Sequence, residues 1–401
     1  MSLFSDARAV TRTIRGVLRR RRARRTLGVL LEQQGELPLD HFEAVLYFPD
    51  STINLYQARQ WYEPLRQLAE RHPVAILARN PAAAAILIEE SGLPVHHVPR
   101  ITDAEQWFAQ QPVGAVFYVN QNVRNFSLLR FARPAHVFLN HGESDKAYMA
   151  SNQAKAYDHV FVAGQAAVDR LAERLVGYDL GRLRVVGRPQ IDVTHPAPDL
   201  PDDGRTVVLY APTWEGDRPS MEYSSIRSHA PALLEALLTT GRHRVIVRPH
   251  PRTGSYDRTY RTTLEALAHR IAAANRADPS AHHLYDDGPD YGWQTQVAQI
   301  CVTDVSAVVF DALAAGLPIV LTRPASTTAD FVPTGVTAAV PLLEATAAPG
   351  AAALVDRLVA DPPDATVAAL TAHHFGDTTP GASMARFLDA ASAIITARTT
   401  R

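Results

Sequence analysis

Cysteine is almost absent from this chain. One residue, Cys301, in 401 excludes an internal disulfide framework and any thiolate-rich metal site. It sits in the apolar run before Thr303, which reads as a buried structural thiol rather than a nucleophile. Long apolar runs are missing too, since no segment approaches the roughly 20 residues needed to cross a bilayer. Acidic residues are missing from one stretch in particular. Between Arg8 and Arg25 there are nine arginines and no Asp or Glu, although the whole chain carries a net charge of only −1. The apolar stretch that follows, Leu27 to Leu31, is too short for the core of a signal peptide. Nothing downstream resembles a module that reads bases, so no nucleic-acid partner is expected. Val10, Ile14, Val17 and Leu18 recur along one side of the basic segment. That is the spacing of an amphipathic helix lying on an anionic membrane surface. A merely solvated basic leader is the alternative. The expected location is cytoplasmic, peripheral at the inner face of the cell membrane.

What the chain does have, from about Phe42 onward, is apolar runs alternating with helical patterns. Candidate strands are Ala44–Phe48, Val74–Leu77, Gly114–Val119, Val137–Leu139 and Val160–Val162. Helical stretches such as Tyr62–Arg71, Pro81–Ser91 and Asp103–Gln110 lie between them. Val207–Tyr210, Val245–Val247, Ile300–Val302 and Ile319–Leu321 continue the series. Alternation of this kind predicts an α/β protein with parallel sheets and helices on both faces. Pro196–Gly204, crowded with Pro, Asp and Gly, reads as a linker between two halves of similar texture. The expected organisation is a basic arm over 1–26, a first Rossmann-like domain over 27–195 and a second over 205–380. A terminal helical stretch over 381–401, strongest from Ser383 to Ala397, has no strand after it and is expected to cross the domain junction. Ligands of open parallel sheets bind beyond the carboxyl ends of the strands, which points to a cleft between the domains.

Several polar turns leave those strand ends. Thr303-Asp304-Val305-Ser306 follows a strand and opens a short helix closed by Gly316 and Pro318. Ser306 is thereby placed at a helix start, where free N–H groups favour an anion. His141, beside Gly142, leaves another strand as a candidate general base, with Lys146 nearby to offset phosphate charge. In Arg248-Pro249-His250-Pro251-Arg252 the prolines fix the backbone around His250, and the arginines supply donors for phosphate oxygens. Tyr210-Ala211-Pro212-Thr213-Trp214 exposes Thr213 and Trp214 after a further strand. Gly187-Arg188-Pro189 with Asp192 forms a weaker exit before the linker. Neither Asp304 nor Asp311 implies a metal, because no closely spaced carboxylate–His set accompanies them. No cofactor is assigned, and dependence on a divalent metal is left open.

Taken in order, these five segments resemble the CDP-glycerol glycerophosphotransferase family, which includes the teichoic acid primases and polymerases. The likeness runs from about Val137 to Pro324 and through Phe310-Asp311. It implies a GT-B fold, two Rossmann-like domains with the active site between them. It also implies transfer of glycerol- or ribitol-phosphate from a CDP-polyol to a hydroxyl of a lipid-linked or polymeric cell-wall glycan, with release of CMP. By the resemblance His141 corresponds to the general base and His250 to the histidine on the donor diphosphate side. Asp304 and Ser306 correspond to the donor-binding turn, with Arg248, Thr213 and Asp311 beside the diphosphate and Lys146 toward acceptor or phosphate. Two departures stand out. Glu143-Ser144-Asp145 replaces a small residue, Pro and Leu, and the family's Ser pair is here Ser306-Ala307. Two other readings compete. One is a GT-B glycosyltransferase or nucleotide-sugar epimerase, which shares the diphosphate-binding helix. The other is a non-enzymatic protein that binds through its basic arm.

Overall fold

The computed structural model describes residues 3–142, 150–361 and 365–399, with 3–17 as backbone alone. Seven parallel strands form the first sheet: β1 (Ala44–Phe48), β2 (Val74–Ala78), β3 (Val95–His97), β4 (Ala115–Tyr118), β5 (Ala135–Phe138), β6 (His159–Val162) and β7 (Leu183–Val185). Their spatial order is β3-β2-β1-β4-β5-β6-β7. Six parallel strands form the second: β8 (Thr206–Ala211), β9 (His243–Val247), β10 (Leu284–Tyr285), β11 (Ile300–Thr303), β12 (Ile319–Thr322) and β13 (Leu342–Leu343). Their order is β10-β9-β8-β11-β12-β13.

The central strands read as unbroken apolar runs because both faces of each sheet are covered. In β1, Ala44, Leu46 and Phe48 pack into one core while Val45 and Tyr47 pack into the other. The same division separates Val208 and Tyr210 of β8 from Leu209 and Ala211. The chain changes direction across each sheet at the first strand, between β1 and β4 and between β8 and β11. Helices diverge to opposite faces at such points, and the strand-end loops there border a crevice. Cys301 lies fully buried in β11, where burial pushes its thiol up.

The two ends of the chain both belong to the first domain. A single helix, Leu3–Gln34, runs through residue 26 without a break. Its last turns dock through buried Leu27, and the Gln34 amide bonds the Val95 backbone in both directions, at 3.0 and 2.9 Å. At the other end the helix Ala382–Thr399 returns to the first sheet and buries Phe387, Ala391 and Ile395 in its core. Asp192 caps that helix by accepting from the Gly381 and Met384 N–H groups at 2.9 and 2.7 Å. The linker is held as well. Buried Arg244 of β9 donates to the Pro201 and Ala281 carbonyls and to Asp203.

Gly187 makes the return of the terminal helix possible. Its φ is +77°, and a Cβ would stand 2.3 Å from Ser383 Oγ and 2.4 Å from Arg386 Nη2. Gly187→Ala is therefore expected to destabilise the fold by about 1–3 kcal/mol. The loss should show as a lower Tm and as faster hydrogen exchange in the terminal helix.

Candidate active site

The cleft is built from strand-end loops of both sheets. On the first-domain side, Asn140 follows β5 with φ at +63°, a conformation Asn tolerates better than other non-glycine residues. Its Oδ1 accepts from the His141 N–H at 2.9 Å, and its Nδ2 donates to the Gly142 carbonyl at 2.9 Å. The indole N–H of Trp61 holds the Asn140 carbonyl at 2.6 Å, and Trp61 rests on Phe387 of the terminal helix. This turn swings His141 out of the sheet and into the cleft.

His141 Nδ1 lies 3.0 Å from the Val119 carbonyl, which can only accept, so that nitrogen carries the proton. Nε2 then presents its lone pair, 3.3 Å from Gln57 Nε2. Burial, reinforced by the Arg188 charge, pulls the imidazole pKa down from 6.5 to about 4, against opposing effects of the Val119 carbonyl and Asp50. A neutral imidazole with an available lone pair has the form a general base needs.

On the second-domain side His250 has the opposite tautomer. Its Nδ1 accepts from the Arg252 N–H at 3.1 Å, which leaves the proton of the neutral ring on Nε2. The ring lies along Trp214, with centroids 6.3 Å apart, and Arg252 covers the other part of Trp214 at 4.0 Å. Tyr56 stands between the two histidines, edge-on to both, with centroids 6.1 Å from His141 and 5.5 Å from His250. The loop after His250 is moulded by Glu215, a buried carboxylate that accepts from the Gly254, Tyr256 and Asp257 N–H groups.

Ser306 opens the helix Val308–Ala314 and accepts from the Val308 N–H at 3.2 Å. This helix start faces the histidine turn directly, since a Cβ on Gly142 would lie 3.3 Å from Ala307 Cβ. Asp304 points away from the cleft. It is fully buried and accepts from Thr213 N at 2.7 Å, Ser225 N at 3.0 Å and the Thr322 hydroxyl. Burial raises its pKa despite these bonds. Thr213 is thereby drawn into the same knot, so both residues shape the second-domain wall of the cleft from behind the surface. Arg248 pairs with Asp286 at 2.8 Å and lies over Tyr291. Asp311 pairs across the cleft with Arg188 at 2.5 Å and accepts from the Tyr291 hydroxyl at 2.8 Å. Its carboxylate thus faces a guanidinium. Lys146 lies outside the described residues.

Sequence reasoning missed Tyr56, Gln57 and Asn120, which stand on the loops after β1 and β4. A short helix, Leu55–Arg59, carries the first two, and five residues leave little periodicity to read. Beside Gly142 and Arg188, a small pocket opens into the first domain, with Trp61, Asn140, Phe161 and Arg170 on its walls. Among the described residues no group of three or more His, Cys, Asp or Glu could hold a metal ion.

The Arg188–Asp311 pair is almost dry, with side chains 7% and 10% exposed. Arg188→Met strands the carboxylate, and a buried pair broken on one side costs about 3–5 kcal/mol. The double variant Arg188→Met with Asp311→Leu should recover most of that loss in chemical denaturation.

Residues 136–325 match the family model for CDP-glycerol:poly(glycerophosphate) glycerophosphotransferase. Among curated proteins nothing matches the chain significantly. Among solved structures it is similar to the wall teichoic acid polymerase TagF, with TM-score 0.57, 14% identity and all of both chains covered. A variant of TagF gives TM-score 0.59 and 12% identity, again over all of both chains. A Listeria monocytogenes protein assigned as a UDP-N-acetylglucosamine 2-epimerase gives TM-score 0.55 and 14% identity, over 88% of this chain and 96% of that one. At such identities the structural likeness establishes the fold, which is GT-B-like, and the family match covers residues 136–325.

Proposed function

We propose that this chain, whose residues 136–325 match the CDP-glycerol glycerophosphotransferase family model, is an enzyme of that type and moves a polyol phosphate from a CDP-polyol to a glycan hydroxyl. The observation that carries this reading is the pair of histidines in opposite tautomers on opposite walls of one cleft. TagF structures include one with CDPG, which supports a cytidine diphosphate donor here. The acceptor is a lipid-linked or polymeric cell-wall glycan that approaches from the first-domain cavity.

In this reading the donor diphosphate lies against the Ser306 helix start. The guanidinium groups of Arg188 and Arg248, each oriented by its carboxylate, add positive charge to the cleft. The acceptor oxygen attacks the β-phosphorus while His141 Nε2 takes its proton. The bond from that phosphorus to the bridging oxygen breaks, and its electron pair leaves with CMP. His250, through its Nε2 proton, offsets charge on the departing phosphate. Positioning and charge carry most of such a reaction, and a general base adds roughly 10²–10⁴-fold. Asp304, Thr213 and Asp311 serve by fixing the loops, and Lys146 remains assigned to acceptor or phosphate contact.

The basic half of the first helix is assigned to an anionic membrane surface. Arg19, Arg20, Arg21, Arg22, Arg24 and Arg25 are all exposed, as is Leu18, while Leu27 begins the docked half. No helix among the described residues is long and apolar enough to cross a membrane.

Mass spectrometry of products from CDP-glycerol, CDP-ribitol and UDP-sugars with lipid-linked acceptors tests the reaction. Release of UMP or UDP would overturn it in favour of a glycosyltransferase or epimerase. His141→Ala should abolish transfer and leave donor Kd within a few-fold of wild type. The acid limb of kcat/KM should lie near the folded pKa of about 4 rather than 6.5. Stability has the matching sign: the unfolded imidazole gains its proton first, so the contribution of neutral His141 is present above 6.5 and lost as pH falls toward 4. For the arm, wild-type protein should sediment with anionic liposomes and be released by salt, each arginine adding about 1 kcal/mol near the surface. A variant with Arg19, Arg20, Arg21, Arg22 and Arg24 changed to Gln should stay in solution yet work on a soluble acceptor.

A further inference from the structure

The turn that presents His141 does not stand alone. Behind it runs a chain of amides whose orientations are fixed by backbone groups at each end. The Asn122 N–H donates to Asn120 Oδ1 at 3.2 Å, which turns the Asn120 Nδ2 the other way. That nitrogen donates both to Asp50 Oδ2 at 2.7 Å and to Gln57 Oε1 at 2.8 Å. With its oxygen so engaged, Gln57 must point its own nitrogen outward. That nitrogen donates to the Tyr56 hydroxyl at 3.1 Å and faces His141 Nε2 at 3.3 Å. An amide N–H can only be met there by a lone pair. The Val119 carbonyl on the far side of the ring demands the proton on Nδ1. Two independent backbone groups, one in each direction, therefore specify the same tautomer.

We infer that Gln57 and Asn120 are positioning residues that hold His141 with its proton on Nδ1 and its Nε2 lone pair turned into the cleft. This role rests on His141 being the base. Both side chains are buried, at 8% and 6% exposure, on loops bordering the β1/β4 crossover. The contact at 3.3 Å is long, so it sets the ring direction yet yields readily to an acceptor hydroxyl. The charged and titratable groups around the ring are Asp50, Tyr56 and Arg188, with His250 and Arg252 facing Tyr56 from the second domain.

The test is a nitrogen-15 titration of histidine in the full chain, with the His141 signal identified by its loss in His141→Ala. Wild-type His141 should be neutral at pH 6 and protonated on Nδ1. Gln57→Glu places a carboxylate at Nε2 and should raise the midpoint by about one unit or more. Its kcat should fall below that of wild type at pH 5 and recover as the pH is raised. Gln57→Met and Asn120→Ser each lose the aim but not the base. Their kcat should drop roughly tenfold to a hundredfold with donor KM within twofold, and the double variant should be no worse than the poorer single one. An Nε2-protonated wild-type ring, an unmoved midpoint in Gln57→Glu, or multiplying defects in the double variant would overturn the inference. If wild type releases no CMP from any CDP-polyol, the transferase reading fails instead, because the titration needs no substrate.

Discussion

The Arg188 guanidinium and the Asp311 carboxylate meet where the two sheets face each other, and the geometry of the cleft hangs on that contact. Neither residue is close to the other in sequence. Arg188 leaves β7, and Asp311 sits in the helix that Ser306 opens. Bringing them together sets Gly142 against Ala307, so the His141 turn and the Ser306 turn are in contact. A buried ion pair adds little net stability compared with apolar packing, but it tolerates few alternative registers. Here that restriction falls on the one surface where register decides chemistry. The Tyr291 hydroxyl on the other carboxylate oxygen makes the arrangement tighter still.

Around this contact the backbone does most of the electrostatic work. The Val119 carbonyl and the Arg252 N–H set the protons of two imidazoles in opposite senses. Three N–H groups converge on Glu215, and two N–H groups with a hydroxyl converge on Asp304. Such groups are anchored in strands and tight turns and need no reorganisation when a substrate arrives. These two carboxylates are thus internal struts. The surface they leave to a ligand is lined by imidazole, indole, phenol, hydroxyl and amide.

Much of the fold was legible from residues alone. The long apolar strands were placed to within a residue or two at their ends, because strands buried on both faces need no alternation to be recognised. The short strands β3, β7, β10 and β13, two or three residues each, carry too little pattern to stand out. The polar turns were legible for a related reason: each interrupts an apolar run at a strand end. What those turns touch was not. Asp304 was read in the donor-binding turn and Asp192 in a weak strand exit, and their partners Ser225, Thr213 and Met384 lie 79, 91 and 192 positions away. Gln57 and Asn120 were invisible because nothing local marks an amide whose function is set by crossover topology.

The Gly187-Arg188-Pro189 motif with Asp192 shows how a motif and a role can be separated. As a string it suggests a binding loop before a linker. In the fold each member plays a different mechanical part. Gly187 lets the terminal helix pass, Asp192 caps that helix, and Arg188 reaches across the cleft. The terminal helix in turn supports Trp61 through Phe387, and Trp61 holds the carbonyl of Asn140, whose left-handed turn presents His141. A segment more than two hundred residues away in sequence therefore buttresses the His141 turn. That connection explains why the chain returns to its first domain after completing its second. A domain ending at Phe375 would leave Trp61 with one face uncovered, and the His141 turn would lose its rigid backing.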